Sequence, residues 1–333
     1  MILSKVKNLS LLLLAIFILA ACGKKKSAEV ESTPEHEYTK SEHLLNPKDL
    51  NKLIESNADF VLIDCRKEEQ WAESHIENAI NIFRSEMTKT VDTISGLALD
   101  RADVAKILGD KGVKTGQDIV LYDDRAQCES VRFWWLLRSY GHSNVMVLDG
   151  GFQDWQARGY ALETEVKKVD FEPFSFEFEN ETNTAKWANI EMVKRAIDEK
   201  DINIIDCRSK VEYTGEELKK GAFRAGHIPT SMHFDFWENM NMGPEGEIWF
   251  RSKNEIAEKY ERLGLQKSDT IIVYCQSGVR SAQTTFVLTE LLGYNNVYNY
   301  DGSWIEWSAN TNLPIINEFE TPKRSEKDPG EVI

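Results

Sequence analysis

The chain has 333 residues, of which 41% are hydrophobic and 29% are charged, as is typical of a soluble protein with two domains of ordinary size. The net charge of −15 and the lack of a basic stripe argue against nucleic acid as a partner. The five cysteines are widely spaced and do not form the dense pattern of a disulfide-stabilised scaffold.

The first 21 residues predict a lipoprotein signal peptide. Lys5 and Lys7 precede LSLLLLAIFILAA, an apolar run that is too short for a comfortable membrane span. Residues 19–22, LAAC, resemble a bacterial lipoprotein signal, and this resemblance implies that Cys22 carries the lipid after cleavage. A plain signal peptide or N-terminal anchor is the alternative. We therefore expect an exported protein that is anchored to a membrane through Cys22.

Polar segments separate the parts of the chain that are predicted to fold. Residues 22–43 lack apolar periodicity and predict a flexible tether. Phe alternates with polar residues in the segment between the two domains, which favours an extended strap along a domain surface. The predicted divisions are a signal peptide (1–21), the tether (22–43), a first domain (44–165), an inter-domain linker (166–185), a second domain (186–318) and a polar C-terminal tail (319–333).

The two domains are copies of each other at an offset of 152 residues. DIVLYDD at 118–124 matches TIIVYCQ at 270–276, and LDGGFQDW at 148–155 matches YDGSWIEW at 300–307. Further upstream, VLIDCR matches NIIDCR at an offset of 142, so the second copy has ten extra residues in a polar loop before His227. The chain is therefore a tandem duplication.

Each copy alternates short apolar strands with helices. In the second copy the pattern predicts strands near 202–206, 271–274 and 297–300, and helices near 187–199, 254–263 and 281–292. This alternation is typical of an α/β fold with a mostly parallel, doubly wound sheet flanked by helices. Such sheets bind ligands at the carboxyl ends of their strands, and Cys275 directly follows the strand that ends at Tyr274.

Cys275 opens a short loop in front of a predicted helix, with the sequence Cys275-Gln276-Ser277-Gly278-Val279-Arg280. Gly278 relaxes the backbone and a helix leaves its first amides unpaired, so the loop can form an anion-binding nest. Such a nest, with Arg280 beside it, should lower the pKa of the Cys275 thiol and enrich the reactive thiolate. Cysteine phosphatases share this layout with five residues between Cys and Arg, whereas this loop has four. The shorter loop suits one extra sulfur atom better than a phosphate group.

Together these features resemble the tandem-domain rhodaneses, a family of sulfurtransferases, over residues 44–316. Each motif is short, but their order and their duplication make the resemblance specific. In the second copy it rests on Asp206-x-Arg208, Gly226-His227-Ile228-Pro229, the six-residue loop that starts at Cys275, and Asp301-Gly302-Ser303-Trp304. In the first copy it rests on Asp64-x-Arg66, His75-Ile76, Trp134-Trp135 and Leu148-Asp149-Gly150-Gly151-Phe152.

The resemblance implies a reaction in two steps. The Cys275 thiolate takes the outer sulfur of an anionic donor, thiosulfate or 3-mercaptopyruvate, and holds it as a persulfide, which cyanide or a thiol then removes. The amides of residues 276–280 would stabilise the anionic sulfur. The first copy has Asp123 where the second has Cys275, so it should be catalytically silent and form one wall of the cleft. The sequence predicts no metal site and no nucleotide loop, and no cofactor is expected.

Several residues near the loop are predicted to support it. Asp206 and Arg208 should form a buried brace, Trp304 should line the cleft, and His227 should be structural because it recurs in the silent copy. Glu212 stands where tandem rhodaneses often have an arginine, and it should repel an anion. The candidates to bind an anionic donor are Arg208, Arg224, Arg251 and Arg280.

The loop matches neither specificity branch of the family. Thiosulfate-preferring members carry basic residues after the cysteine, and mercaptopyruvate-preferring members carry Gly-Ser-Gly-Val-Thr. Here Gln276 removes the charge of the first type, while Ser277 and Gly278 suit the second. We lean towards thiosulfate as the donor.

Three alternatives stay open at the level of the sequence. The first is a cysteine phosphatase or arsenate reductase, the second is a non-enzymatic sulfane-sulfur binder or scaffold, and the third is delivery of sulfur or selenium to a protein partner. The remaining cysteines are interpreted as bystanders: Cys65 and Cys207 as small core residues, and Cys128 as a helix-start residue five positions past Asp123.

Overall fold

Two five-stranded parallel sheets form the framework of the protein, one for each copy of the repeat. The computed structural model describes residues 37–165, 173–180, 185–199 and 201–325. The predicted signal peptide, Cys22 and most of the predicted linker lie outside these ranges. Within them, no helix is both long and apolar enough to cross a membrane.

The first domain contains the strands β1 (Leu44–Leu45), β2 (Phe60–Asp64), β3 (His75–Ile76), β4 (Ile80–Asn81), β5 (Thr88–Val91), β6 (Ile94–Ala98), β7 (Asp118–Tyr122), β8 (Val145–Leu148) and β9 (Leu162–Glu163). Its helices are α1 (Pro47–Glu55), α2 (Glu68–Glu73), α3 (Arg101–Asp110), α4 (Cys128–Ser139) and α5 (Gly151–Ala157), with a 3-10 turn at Arg84–Met87. The main sheet has the order β1-β8-β7-β2-β4. Its central strands read FVLID and DIVLY, a composition that suits strands buried on both faces.

The second domain contains the strands β10 (Lys186–Ala188), β11 (Ile202–Asp206), β12 (Glu217–Lys219), β13 (Met232–His233), β14 (Met240–Met242), β15 (Ile248–Phe250), β16 (Thr270–Tyr274), β17 (Asn296–Tyr300) and β18 (Lys323–Ser325). Its helices are α6 (Ile190–Asp198), α7 (Lys210–Thr214), α8 (Lys253–Glu261), α9 (Val279–Phe286) and α10 (Ser303–Ala309). A 3-10 turn covers Phe236–Asn239, and a π-helical turn, Val287–Leu291, continues α9. The main sheet has the order β10-β17-β16-β11-β13.

Apolar side chains cover both faces of the second sheet. Ile204 and Ile272 belong to one buried cluster, whereas their neighbours Ile205 and Val273 belong to another. Because successive side chains of a strand point to opposite faces, the sheet is packed on both sides, as in a doubly wound α/β domain. The predicted fold class, with a parallel sheet flanked by helices in each copy, is confirmed.

The two copies differ by one residue in the loop that follows the third main strand. The loop between β7 and α4 has five residues, 123–127, whereas the loop between β16 and α9 has four, 275–278. The π-helical turn after α9 restores the missing residue, because a π turn holds one more residue than an α turn. The offset of 152 therefore returns at Gly141 and Gly293. The structural counterpart of Cys128, the first residue of α4, is Val279, the first residue of α9.

Each domain extends a β-hairpin over the other domain. In the first domain the hairpin is β5–β6, and the Ala98 N–H at its end donates to Asp301 of the second domain (2.9 Å). In the second domain the hairpin is β14–β15, and the Phe250 N–H donates to Asp149 of the first (2.9 Å). The two contacts follow the repeat, since Phe250 lies 152 residues after Ala98 and Asp301 lies 152 residues after Asp149.

The end of the predicted tether is packed more closely than the sequence predicts, whereas the described part of the linker is the expected strap on a domain surface. Tyr38 contacts Asp154 and Arg158, and Thr39 donates a hydrogen bond to the Arg251 carbonyl (2.8 Å), so the end of the predicted tether belongs to the fold. In the linker, the described part lies along the first domain, where Phe176 and Phe178 are buried.

The predicted polar tail contributes a strand. β18 pairs in parallel with β12, and Lys323 forms an ion pair with Glu216 (2.9 Å). The segment predicted as a polar C-terminal tail therefore includes a strand at residues 323–325. The pairing partner is the loop insertion of the second copy, about a hundred residues upstream, and a polar strand at a sheet edge carries little apolar signal.

Candidate active site

Cys275 lies at the carboxyl end of the central strand β16 and is almost completely buried, with 1% of its surface exposed. The Ser281 hydroxyl, in the first turn of α9, donates a hydrogen bond to its sulfur (3.5 Å). Burial alone would raise the pKa of the Cys275 thiol, but the Cys207 thiol, the Arg280 charge and Ser281 outweigh it and bring that pKa well below its usual value. The side chain therefore has the character of a thiolate nucleophile.

Gly278 gives the loop its tight shape. Its φ of +79° lies in the left-handed region, and a Cβ there would approach the Asp301 carbonyl oxygen at 2.8 Å and the Arg132 guanidinium at 2.9 Å. The Ser303 hydroxyl accepts the N–H groups of Cys275 (3.2 Å) and Gly278 (3.0 Å). The Gly278 N–H therefore points to the Ser303 hydroxyl and not to the Cys275 sulfur. The prediction that this amide faces the sulfur is wrong. The amides of Gln276, Ser277, Val279 and Arg280 remain the candidates.

Arg280 is paired with Glu212 and is not exposed to solvent. Its guanidinium donates two hydrogen bonds to the Glu212 carboxylate (2.7 and 2.8 Å), and both side chains are buried. Lys219 lies 3.5 Å from the same carboxylate. The prediction that Glu212 repels an anion is therefore wrong, because two cations neutralise it. The ten-residue insertion of the second copy brings Lys219 to this position, which local sequence reasoning could not show.

Asp206 and Arg208 form the predicted buried brace. The Arg208 guanidinium donates to Asp206 from Nε (2.9 Å) and from Nη2 (2.5 Å), and it also donates to the Gly226 carbonyl (2.7 Å). The Trp304 ring stacks over it with the guanidinium carbon 4.6 Å from the ring centre. The Trp304 amide also donates to the Cys275 carbonyl (3.0 Å), so this residue braces the strand end from behind.

Charges around Cys275 leave one cation in excess. Arg208 and Asp206 neutralise each other, and Glu212 faces both Arg280 and Lys219. The surplus positive charge matches the negative charge of a Cys275 thiolate or persulfide. Burial keeps this attraction strong, since little water screens it.

The other predicted anion-binding arginines are also engaged. Arg224 donates to the carbonyl groups at the end of α10, including Asn310 (2.6 Å), Leu313 (2.8 Å) and Ser308 (2.9 Å). Arg251 donates to the Asn241 side chain (2.8 Å). The interpretation of these arginines as donor-binding groups is therefore not supported by their geometry. Arginine side chains satisfy helix ends and carbonyl clusters as readily as ligands, and a sequence does not distinguish the two.

His227 has the contacts of a structural residue, as its recurrence in the first copy predicts. Its Nδ1 donates to the Tyr213 carbonyl (2.7 Å), and its ring stacks on the Tyr213 ring at 3.8 Å between centres. Burial lowers its pKa. A neutral imidazole packed in this way holds the segment around Tyr213.

The first copy holds a carboxylate where the second holds its thiol. Asp123 is buried and accepts hydrogen bonds from the Ser130 amide and hydroxyl (both 2.7 Å) and from the Arg125 amide (2.5 Å). Burial raises the pKa of Asp123 to about 6 despite these donors. Ser130 is the third residue of its helix, as Ser281 is of α9. The same serine contact is therefore present in both copies. In the first copy it binds the carboxylate of Asp123, and in the second copy it binds the Cys275 thiol.

The first domain completes the site of the second. Arg132 on α4 donates to the Gly278 carbonyl (3.3 Å) and pairs with Asp301. Strand β6 of the hairpin is close enough that a Cβ on Gly96 would lie 3.6 Å from the Ser277 side chain. The expected wall of the cleft is thus the hairpin and α4, and it covers the cysteine loop directly.

Four cysteines are described, and all four are buried free thiols: Cys65, Cys128, Cys207 and Cys275. Among the described residues, the one group that could hold a metal ion is Glu42, His43 and Glu290, whose ligand atoms lie within 4.8 Å of one another. These residues are not part of the cysteine loop. Their separation along the chain is large, so the sequence could not indicate the group.

Sequence reasoning missed the roles of Ser303, Arg132 and the β5–β6 hairpin, which act through long-range contacts. It also gave Glu212 the wrong role. The DCR motif could have drawn attention to Cys207, because it ends a strand next to the strand of Cys275. Strand order was the missing information.

Known proteins are similar to this chain in sequence and in fold. The family model described as "Rhodanese-like domain" matches residues 46–158 and again residues 189–310. The chain is 31% identical over 287 residues to the "Sulfur carrier protein TtuD" of Thermus thermophilus, covering 84% of this chain and 94% of that protein. It is 32% identical over 272 residues to a "Putative thiosulfate sulfurtransferase" of Mycobacterium leprae, covering 74% and 95%.

Among solved structures, the chain is similar to an anaerobic ergothioneine biosynthesis enzyme from Chlorobium limicola. The TM-score is 0.70 at 22% identity, covering 84% of this chain and 71% of that chain. At this level of identity the likeness shows a shared fold alone.

Proposed function

The chain belongs to the rhodanese-like family of sulfurtransferases, and we propose that it moves sulfane sulfur from thiosulfate to a small thiophilic acceptor. The proposed intermediate is a persulfide on Cys275. One observation supports this most strongly. A single buried cysteine with a lowered pKa opens a four-residue loop, and the equivalent position of the other copy is a carboxylate.

In the first step the Cys275 thiolate attacks the outer sulfur of thiosulfate. The sulfur–sulfur bond of the donor breaks, sulfite leaves with the electron pair, and Cys275 keeps the sulfur as a persulfide anion. The loop amides and the surplus cation beside Glu212 stabilise this charge. In the second step an acceptor such as cyanide takes the terminal sulfur, and the thiolate returns.

Thiosulfate fits the site better than 3-mercaptopyruvate. Sulfite leaves as a stable anion, whereas pyruvate leaves as an enolate that must gain a proton. Among the described residues, the hydrogen-bond partners of the Cys275 sulfur are Ser281 and Cys207, and neither is a general acid of suitable strength at neutral pH. The occupied arginines weaken the binding of either donor, so we expect a high KM.

The acceptor we propose is a small thiol or cyanide. Cys275 is covered by the hairpin of the first domain, which leaves little room for a folded protein surface. Delivery to a protein thiol is the second candidate, and the name of the Thermus thermophilus relative favours it.

Thiocyanate formation tests the site assignment. Purified protein without residues 1–22 is assayed with thiosulfate and cyanide, as the wild type, Cys275→Ser and Cys128→Ser. We expect turnover in the wild type and in Cys128→Ser and none in Cys275→Ser. Equal turnover in Cys275→Ser would show that another residue carries the sulfur. Hydrolysis of an aryl phosphate that depends on Cys275 would favour phosphatase chemistry instead.

We also propose that the chain is an exported lipoprotein anchored through Cys22. The pattern of Lys5, Lys7, the apolar run and LAAC supports it. Labelled fatty acid should enter the full-length protein and not the Cys22→Ser variant. A wild-type protein that stays unlabelled in the soluble fraction would contradict the anchor.

A further inference from the structure

Cys207 and Cys275 lie at the ends of neighbouring parallel strands and in register. Asp206 of β11 is paired with Tyr274 of β16, and the Cys207 amide donates to the Tyr274 carbonyl (3.0 Å). The next position on each strand is a cysteine. Neighbouring strands are about 4.8 Å apart, and this is within the range of roughly 4.4 to 6.8 Å between Cα atoms that a disulfide requires.

The two thiols also share one face of the sheet. Ile205, Cys207, Val273 and Cys275 belong to the same buried cluster, whereas the alternate residues Ile204 and Ile272 belong to the cluster on the other face. The Cys207 sulfur lies 3.2 Å from the Tyr274 carbonyl oxygen, directly before Cys275 in the chain. Cys207 is therefore positioned beside the sulfur of Cys275.

We propose that Cys207 is a resolving thiol that discharges the Cys275 persulfide when no acceptor is present. Its sulfur attacks the inner sulfur of the persulfide and gives up its proton. The bond between the inner and outer sulfur breaks, and the outer sulfur leaves as hydrosulfide with the electron pair. The products are a Cys207–Cys275 disulfide and one sulfide, with no external oxidant needed. This inference rests on the proposed persulfide.

The surroundings set the rate of this second reaction. Ser281 contacts the Cys275 sulfur from α9, whereas Cys207 follows the neighbouring strand β11, so the resolving thiol and the hydroxyl come from different elements. Burial raises the pKa of the Cys207 thiol, and most of it is protonated at neutral pH. We therefore expect slow release that accelerates as pH rises. A dithiol reductant then restores the enzyme.

The first domain provides a matched control. Cys65 occupies the same place after β2, and its amide donates to the Tyr122 carbonyl (2.8 Å). The residue opposite is Asp123, which forms no persulfide. Substitution of Cys65 removes a thiol of the same burial and strand position without touching the pair.

A single-turnover experiment tests the proposal. Full-length or signal-free protein is reduced, loaded with thiosulfate, freed of small molecules and incubated without acceptor. Released sulfide is measured over time, and disulfide-linked peptides are mapped by mass spectrometry. The variants are the wild type, Cys65→Ser, Cys207→Ser and Cys207→Ala.

We expect the wild type and Cys65→Ser to release up to one sulfide for each persulfide and to form the Cys207–Cys275 link. In the Cys207 variants the persulfide should persist, with release slowed by about tenfold or more. Equal release in the Cys207 variants, or a stable wild-type persulfide, would overturn this inference alone. The mapping on the wild type needs no variant, so a folding defect does not hide the answer. The absence of any persulfide on Cys275 would overturn the proposed function as well.

Discussion

The buried pair of Glu212 and Arg280 allows a double-mutant test of how the site holds its charge. Glu212 has 1% of its surface exposed and accepts two hydrogen bonds from Arg280 (2.7 and 2.8 Å). Glu212→Gln leaves a buried guanidinium without its counter-charge, and breaking a buried pair in this way costs about 3–5 kcal/mol of unfolding free energy. Arg280→Met leaves the carboxylate with Lys219 and should cost a similar amount.

The double variant should be milder than either single one, because no unpaired charge remains on either side. The two single variants should also move Cys275 in opposite directions. Arg280 is no longer neutralised in Glu212→Gln, so the pKa of the Cys275 thiol falls further. In Arg280→Met the cation is lost, the pKa rises, and alkylation at neutral pH slows by about tenfold.

The pH dependence of Glu212→Gln has a defined sign. Burial would raise the pKa of Glu212, but Arg280 and Lys219 outweigh it and hold that pKa well below the usual value of 4.5. The folded pKa lies below the unfolded one, so the carboxylate stabilises the protein above about pH 4.5 and loses this effect as pH falls. The stability difference between the wild type and Glu212→Gln should therefore shrink in acid.

Urea unfolding at several pH values and the rate of thiol alkylation measure these effects. A loss below about 1 kcal/mol in Glu212→Gln, or a double variant as unstable as the sum of both, would refute the buried pair. Alkylation that changes in the same direction in both single variants would refute the electrostatic account of the thiolate.

Three further predictions concern the loop and its covering domain. Gly278→Ala should cost about 1–3 kcal/mol and most of the turnover, because its φ of +79° and the Asp301 carbonyl at 2.8 Å leave no place for a methyl group; normal thiocyanate formation would contradict this. Asp301→Asn should weaken the bonds to Arg132 and the Ala98 amide (2.9 Å) and increase protease cleavage in the β5–β6 hairpin; unchanged digestion would oppose it. Burial raises the pKa of Asp149 to about 7, above its usual 3.8, so its ionisation destabilises the fold as pH rises through this range. The unfolding free energy of Asp149→Asn, relative to the wild type, should be about 2 kcal/mol higher at pH 8 than at pH 5. A difference that is equal at both pH values would refute this prediction.

Local sequence features were sufficient to predict the strands and the position of Cys275. The apolar runs at 202–206 and 271–274 are confirmed as β11 and β16, because buried parallel strands carry a strong continuous signal. The place of Cys275 at a strand end follows from the same signal. The repeat then identified Asp123 as its counterpart.

Contacts between distant segments could not be predicted. Arg280 is paired with a buried carboxylate, whereas Arg224 donates to backbone carbonyl groups. The sequence does not distinguish these two arginines, because their partners are distant along the chain. The first copy has one more residue in its loop, and the second copy has one more residue in the π turn after α9. The two differences cancel in the overall offset, so the sequence alignment does not show them. The position of Cys207 beside Cys275 needed the strand order, which periodicity does not provide.

The mass of Cys275 after exposure to the donor tests the central claim most directly. Reduced protein is treated with thiosulfate and digested under acid. The mass of the peptide that contains Cys275 is then compared by mass spectrometry with the masses of the peptides that contain Cys65, Cys128 and Cys207. We predict the addition of one sulfur atom to the Cys275 peptide alone, and its removal by cyanide with equal formation of thiocyanate. An unmodified Cys275 peptide, or a sulfur that resides on another cysteine in Cys275→Ser while turnover continues, would contradict the account.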